Sequence, residues 1–106
     1  MLLAVYTTVE NLSQAAILAN QVVEQKLAAC VQCDEIKSTF FWHAQIENVS
    51  EIRMMFKTTQ SQYAALEIFL KKNHPYELPA IFAIPVSQAE KSYQDWVIAS
   101  LDDKLS

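Results

Sequence analysis

Two short segments of this chain are apolar at every successive position. They are residues 2–6 near the amino terminus and residues 80–84 near the carboxyl terminus. Because side chains alternate between the two faces of a β-strand, a strand with no polar position must be shielded from water on both faces. Helices that cover one face of a sheet leave the other bare, so we expect a second copy of the chain to cover it. These segments therefore predict a β-sheet inside a homo-oligomer.

Length and composition also indicate one self-associating domain. The chain has 106 residues, which suits one hydrophobic core, so we predict a single domain over residues 1–106. Hydrophobic residues make up 52% of the chain. This is above the usual apolar share, even though that share normally counts glycine and this chain has none. A small monomer does not easily bury that much apolar side chain, so composition favours self-association as well.

The hydrophobic periodicity predicts the element order βαββαβ followed by a third helix. Asn11 with Gln14 and Thr59 with Gln62 are spaced as capping boxes, so a helix is expected to start at each pair. The polar pair at residues 34–35 separates two β-prone segments, residues 27–33 and 38–42. These segments are interpreted as two strands or as one long bent strand. The predicted strands cover residues 2–9, 27–33, 38–42, 49–58 and 80–86, and the predicted helices cover residues 12–25, 63–73 and 93–101.

This order is typical of the ferredoxin-like α+β fold, an antiparallel sheet with two helices on one face. Within residues 49–58, Ile52 and Met54 alternate with Glu51 and Arg53, which predicts one dry face and one wet face. With the aromatic segment before it, this strand is expected to form a long hairpin. We expect such hairpins to pair with neighbouring chains and so protect the edges of the sheet.

Charge and hydropathy exclude several kinds of partner. The chain has 8 basic and 12 acidic residues, and a net charge of −4 offers no stripe that neutralises many phosphates. The first apolar run has no basic residues before it and is far shorter than the ~18 residues of a membrane helix. Cys30 and Cys33 lie three apart in a predicted strand, so their thiols point to opposite faces and do not pair. We therefore expect a cytoplasmic protein that binds neither nucleic acid nor membrane.

The segment at residues 74–79 is the first candidate site, because two prolines hold an imidazole, a phenol and a carboxylate on a stiff connection. His74 with Glu77 suits copper or zinc, and a thiolate such as Cys30 would complete a soft ligand set. The alternatives are a helix C-cap in which His74 bonds backbone carbonyls, and a Cys30 that serves as a small buried hydrophobe.

Lys57 is the second candidate, because it precedes a helix amino terminus where free N–H groups could hold an anion. The chain has no glycine-rich phosphate loop, and a solvated lysine is the alternative. The aromatic residues 40–42 and Trp96 are interpreted as interface packing rather than a platform for bases. No catalytic triad, Cys-His pair or carboxylate pair can be assembled, so we do not expect an enzyme.

Taken together, these segments closely resemble the CutA1, or divalent-cation tolerance, family over nearly the whole chain. Several motifs in the family's order make the resemblance far more specific than any one motif. They are Val5-Tyr6-Thr7-Thr8, residues 24–31, residues 38–42 with Ile46-Glu47, Lys57-Thr58-Thr59, residues 74–79 and residues 93–96.

The resemblance implies a very stable trimer of ferredoxin-like subunits, related in architecture to PII signalling proteins and associated with copper and other divalent ions. Carried over by position, Cys30 and His74 fall on positions linked to metal. Some members have a cysteine where this chain has Thr7 and a histidine where it has Asn73, so this chain lacks two soft ligands. The residues that fall on motif positions near the subunit contact are Trp42, Lys57, Tyr76 and Glu77.

The family commonly has glycine after its hairpin tryptophan, where this chain has His43-Ala44, so the turn is expected to bend differently. Three hypotheses follow from the resemblance and the residues. The first is a trimeric divalent-cation tolerance protein that binds copper or another divalent ion weakly, with no tightly bound cofactor. The second is a PII-like sensor of a small anion, and the third is a structural trimer that only presents surfaces to partners.

Overall fold

A computed structural model describes residues 1–102 as a four-stranded antiparallel sheet with three helices. The elements are β1 (Leu2–Val9), α1 (Leu12–Glu24), β2 (Cys30–Trp42), β3 (Gln45–Thr59), α2 (Tyr63–Asn73), β4 (Phe82–Pro85) and α3 (Lys91–Ser100), with a short 3-10 turn (Gln60–Gln62) before α2. The sheet order is β2-β3-β1-β4, which confirms the predicted ferredoxin-like α+β fold with an extra carboxyl-terminal helix.

One face of the sheet packs against α1 and α2 and is called the helix-covered face. Val5 on β1 lies opposite Phe56 on β3, which lies opposite Val31 on β2, so the three side chains share this face. Alternate apolar residues of the strands meet one stripe from each helix here. The buried core residues of this face include Leu3, Val5, Val9, Met54 and Phe56 from the strands and Ala15, Leu18, Val22, Leu66 and Leu70 from the helices.

The opposite face, called the open face, is covered only in part. α3 packs on one end of it, where Val97 and Leu101 bury Leu2. The expectation that the chain's own helices reach only one face is therefore wrong at this end, because the third helix folds back across the sheet. Farther along, Phe82 and Ile84 on β4 remain 51% and 50% exposed, so α3 leaves part of this apolar face uncovered.

β2 and β3 form one long hairpin, as predicted, and β2 is a single strand through the polar pair at residues 34–35. Asp34 stays in the ladder opposite Arg53, and the two side chains form an ion pair at 2.9 Å. β1 ends where Val9 pairs with Ile52. Residues 36–51 therefore extend beyond the other strands as a two-stranded ribbon, called the hairpin ribbon.

The hairpin ribbon closes with a two-residue turn, since Trp42 pairs with Gln45. His43 and Ala44 adopt left-handed backbone angles, with φ of 51° and 64°. Positive φ at both central residues is the geometry of the type I′ turn, which matches the twist of antiparallel strands. The turn thus takes a conformation that favours glycine while using two residues that carry a Cβ atom.

Of the two predicted capping boxes, only the one at Asn11 forms. Asn11 caps α1, because its side chain accepts a hydrogen bond from the Gln14 backbone N–H at 2.9 Å, as predicted. Thr59 does not cap a helix: its hydroxyl bonds Ser61 at 3.1 Å, and the 3-10 turn intervenes before α2. The predicted second capping box is therefore wrong.

Among residues 1–102, no helix has both the length and the apolar character to cross a bilayer.

Candidate functional site

The connection between α2 and β4 passes beside the hairpin ribbon, and the two enclose an open cleft of about 570 Å³, called the loop cleft. Its walls combine aromatic rings with carboxylates. They include Phe40, Trp42, Glu47 and Glu51 from the hairpin ribbon and Tyr76 and Glu77 from the connection. Three of the predicted site residues, Trp42, Tyr76 and Glu77, thus lie in one place.

His74 ends α2 and starts this connection. Its backbone is extended, with φ −76° and ψ 138°, as expected for a residue before proline. Its ring Nδ1 accepts a hydrogen bond from the Tyr76 backbone N–H at 3.0 Å, and its Nε2 lies 3.0 Å from the Thr7 hydroxyl. Since Nδ1 accepts, the neutral ring carries its proton on Nε2 and donates it to Thr7. Both ring nitrogens are therefore engaged within the chain.

Burial lowers the pKa of His74 below its usual value of 6.5, and a hydrogen bond with the Thr8 backbone and the charge of Glu51 oppose this only in part. The lowered pKa favours the neutral ring, which is the form that can accept the hydrogen bond at Nδ1. The capping alternative is correct in placing His74 at the helix end. Its partners, however, are the Tyr76 backbone N–H, the Thr7 hydroxyl and the backbone of Thr8 rather than the helix carbonyls.

Tyr76 reaches across the sheet edge to Glu51. Its hydroxyl donates to Glu51 Oε2 at 2.8 Å, and the Glu51 residue is only 8% exposed. Burial, followed by the hydrogen bond and charge of Glu51, strongly raises the pKa of Tyr76. The phenol therefore stays protonated as a donor to the carboxylate.

Glu51 is the site residue that sequence reasoning missed. Alternation along β3 placed it on the wet side with Arg53, but the connection from α2 folds over it, so that expectation is wrong for this residue. Within residues 1–102 it forms no ion pair, and Tyr76 supplies its one hydrogen bond. A carboxyl group inside an otherwise alternating strand is a weak signal, because only contacts across the sheet show whether it is buried.

The other predicted metal ligand, Cys30, lies far from His74. Cys30 pairs with Lys57, whereas Thr7, the partner of His74, pairs with Met54. Those positions are three residues apart along β3, about 10 Å, and lie on opposite faces of the sheet. Residues 1–102 contain no group of three or more His, Cys, Asp or Glu side chains that could hold a metal ion. A single chain therefore does not assemble the predicted copper site.

Both thiols are free, as expected for side chains on opposite faces. Cys30 is half-buried and Cys33 is exposed. Partial burial, and then the charge of Asp34, raise the pKa of Cys33 above its usual value. These surroundings make Cys33 a poor thiolate at neutral pH.

Lys57 lies apart from the loop cleft. Its ammonium group is 5.5 Å from the centre of the Tyr93 ring on α3, a cation–π distance. The next residue, Thr58, is buried and donates its hydroxyl to the Leu27 carbonyl at 2.7 Å. The structure thus separates Lys57 from Trp42, Tyr76 and Glu77, and none of the residues that line the cleft is Lys, Arg or His.

Comparison with known proteins gives one family. Residues 3–100 match the sequence model of a family described as CutA1 divalent ion tolerance protein. The chain is 38% identical over 93 residues to a divalent-cation tolerance protein CutA of Archaeoglobus fulgidus, which spans 88% of this chain and 91% of that protein. It is 41% identical over 95 residues to Protein CutA of Mus musculus, which covers 89% of this chain but 54% of the mouse protein.

Solved structures agree. The structure of a periplasmic divalent cation tolerance protein CutA from Archaeoglobus fulgidus superimposes with a TM-score of 0.94 at 35% identity, covering 96% of this chain and 100% of that one. CutA from Synechococcus elongatus superimposes with a TM-score of 0.93 at 38% identity, covering 95% and 90%.

Proposed function

This chain belongs to the CutA1 divalent ion tolerance family, and from that premise we propose that it acts in divalent-cation tolerance as a non-catalytic homotrimer. The observation that carries the proposal is the open face of the sheet, which α3 covers only in part. Phe82 and Ile84 stay about half exposed after α3 has packed. The aromatic residues Trp42 and Trp96 are also 39% and 49% exposed. Exposed apolar patches of this kind mark contact surfaces, and the family resemblance supplies the number three.

The hairpin ribbon supports the same proposal. A two-stranded ribbon is marginally stable in water, yet this one carries exposed Phe41 and Ile46 on one side and Phe40 and Trp42 on the other. A second subunit would cover these side chains and pair with the strand edge of β2. Self-association therefore accounts for two features that the single chain leaves incomplete.

Sedimentation equilibrium tests the assembly. The wild-type chain is expected at the mass of three chains at micromolar concentration, and Phe82→Glu with Ile84→Glu is expected to shift it toward monomer. The matched control is Ile68→Glu, which places the same charge at an exposed position on α2 and should leave the mass unchanged. A wild-type monomer at this concentration would contradict the proposal.

We further propose that copper or another divalent ion binds weakly, with Cys30 and His74 supplied by different subunits. Within one chain these residues do not fit a shared site, and His74 must give up a hydrogen bond before it can offer a ring nitrogen. That loss favours weak binding. Calorimetric titration with Cu²⁺ is expected to show weaker binding in His74→Ala and Cys30→Ala than in the control Cys33→Ala. Equal copper affinity in all three variants would show that neither Cys30 nor His74 is a metal ligand.

The PII-like anion sensor has less support, because Lys57, its candidate anion ligand, lies at the Tyr93 ring and outside the loop cleft, whose walls hold no basic side chain. The third hypothesis, a purely structural trimer, predicts the same assembly as the proposed function but predicts that no ion binds. For location we propose the cytoplasm, which two free thiols favour. A relative named periplasmic makes cell fractionation the necessary test.

A further inference from the structure

We draw no further inference here: the strongest candidate, the cavity of about 340 Å³ between α3 and the start of β1 with the half-buried Lys57 in its wall, carries none, because the Lys57 ammonium group already lies 5.5 Å from the centre of the Tyr93 ring and its ladder partner Cys30 belongs to the site proposed between subunits.

Discussion

Ala44 holds a backbone conformation that is costly for any residue with a Cβ atom. Its φ is 64°, in the left-handed region, and the chain contains no glycine with which to fill that position. We predict that Ala44→Gly raises the free energy of unfolding by roughly 0.5–1 kcal/mol, because glycine adopts this region without steric cost. Denaturant unfolding monitored by Trp fluorescence measures it.

Ala16→Gly is the matched control for that substitution. Ala16 is exposed inside α1, where glycine loses helix propensity, so the same change should lower stability by about 1 kcal/mol. Two changes of the same sign would show that the turn does not hold the left-handed angles in solution.

His74 is expected to make stability depend on pH. Its pKa lies below the unfolded value of 6.5, so the folded chain resists protonation that the unfolded chain accepts. The contribution of His74 to stability is therefore fully present above about pH 6.5 and is lost as the pH falls from there toward the folded pKa. Urea unfolding from pH 8 to pH 5 measures the decline.

In His74→Gln this part of the decline should disappear, whereas His43→Gln at the exposed hairpin turn should keep it. The glutamine side chain can still reach Thr7 as a donor, so the comparison isolates the proton. A His74→Gln variant with the same pH profile as wild type would show that the ring titrates normally.

Among the elements, the connection from α2 to β4 is held to the sheet by the hydrogen bond between Tyr76 and Glu51, at 2.8 Å. Tyr76→Phe removes the one donor to a buried carboxylate. We predict a loss of about 1–3 kcal/mol in the free energy of unfolding, the usual cost of an unsatisfied buried polar group. Thermal and denaturant unfolding measure it.

Tyr63→Phe provides the comparison. Tyr63 also donates to a glutamate at 2.8 Å, but Glu67 lies one turn along the same helix and is only half-buried. Water can replace that donor, so a loss of less than about 1 kcal/mol is expected. Equal losses in the two variants would mean that Glu51 is as well hydrated as Glu67.

For the whole molecule, the hairpin ribbon is the part that reports assembly. It extends beyond the other strands and gives the chain a long axis of 48 Å against 26 and 21 Å for the others. In the proposed homotrimer, its backbone amides should resist hydrogen exchange as strongly as those of residues 52–58. In the Phe82→Glu with Ile84→Glu variant they should exchange much faster, because an isolated ribbon opens readily.

Mass spectrometry of deuterium uptake follows both segments in one experiment, and residues 52–58 serve as the internal reference. Rapid exchange of the hairpin ribbon in an intact oligomer would place the subunit contact elsewhere on the chain.

Much of the fold follows from short-range patterns. Alternation predicts that Met54 and Phe56 face the core, helical spacing predicts the stripe with Ala15 and Val22, and Asn11 caps α1 as its spacing indicates. These features depend on residues close together in the chain, so periodicity and capping signals determine them. The family motifs place Trp42, Lys57, Tyr76 and Glu77 near the subunit contact, but only the structure shows that Trp42, Tyr76 and Glu77 line one cleft and that Lys57 does not.

Contacts between distant residues were decided by the tertiary structure alone. Tyr76 meets Glu51 across 25 positions, His74 meets Thr7 across 67, and α3 folds back onto Leu2. Alternation states which face of a strand a side chain points to, but not what lies across that face. The burial of a carboxylate, the engagement of both imidazole nitrogens and the partial cover over the open face therefore appear only when the chain is packed in three dimensions.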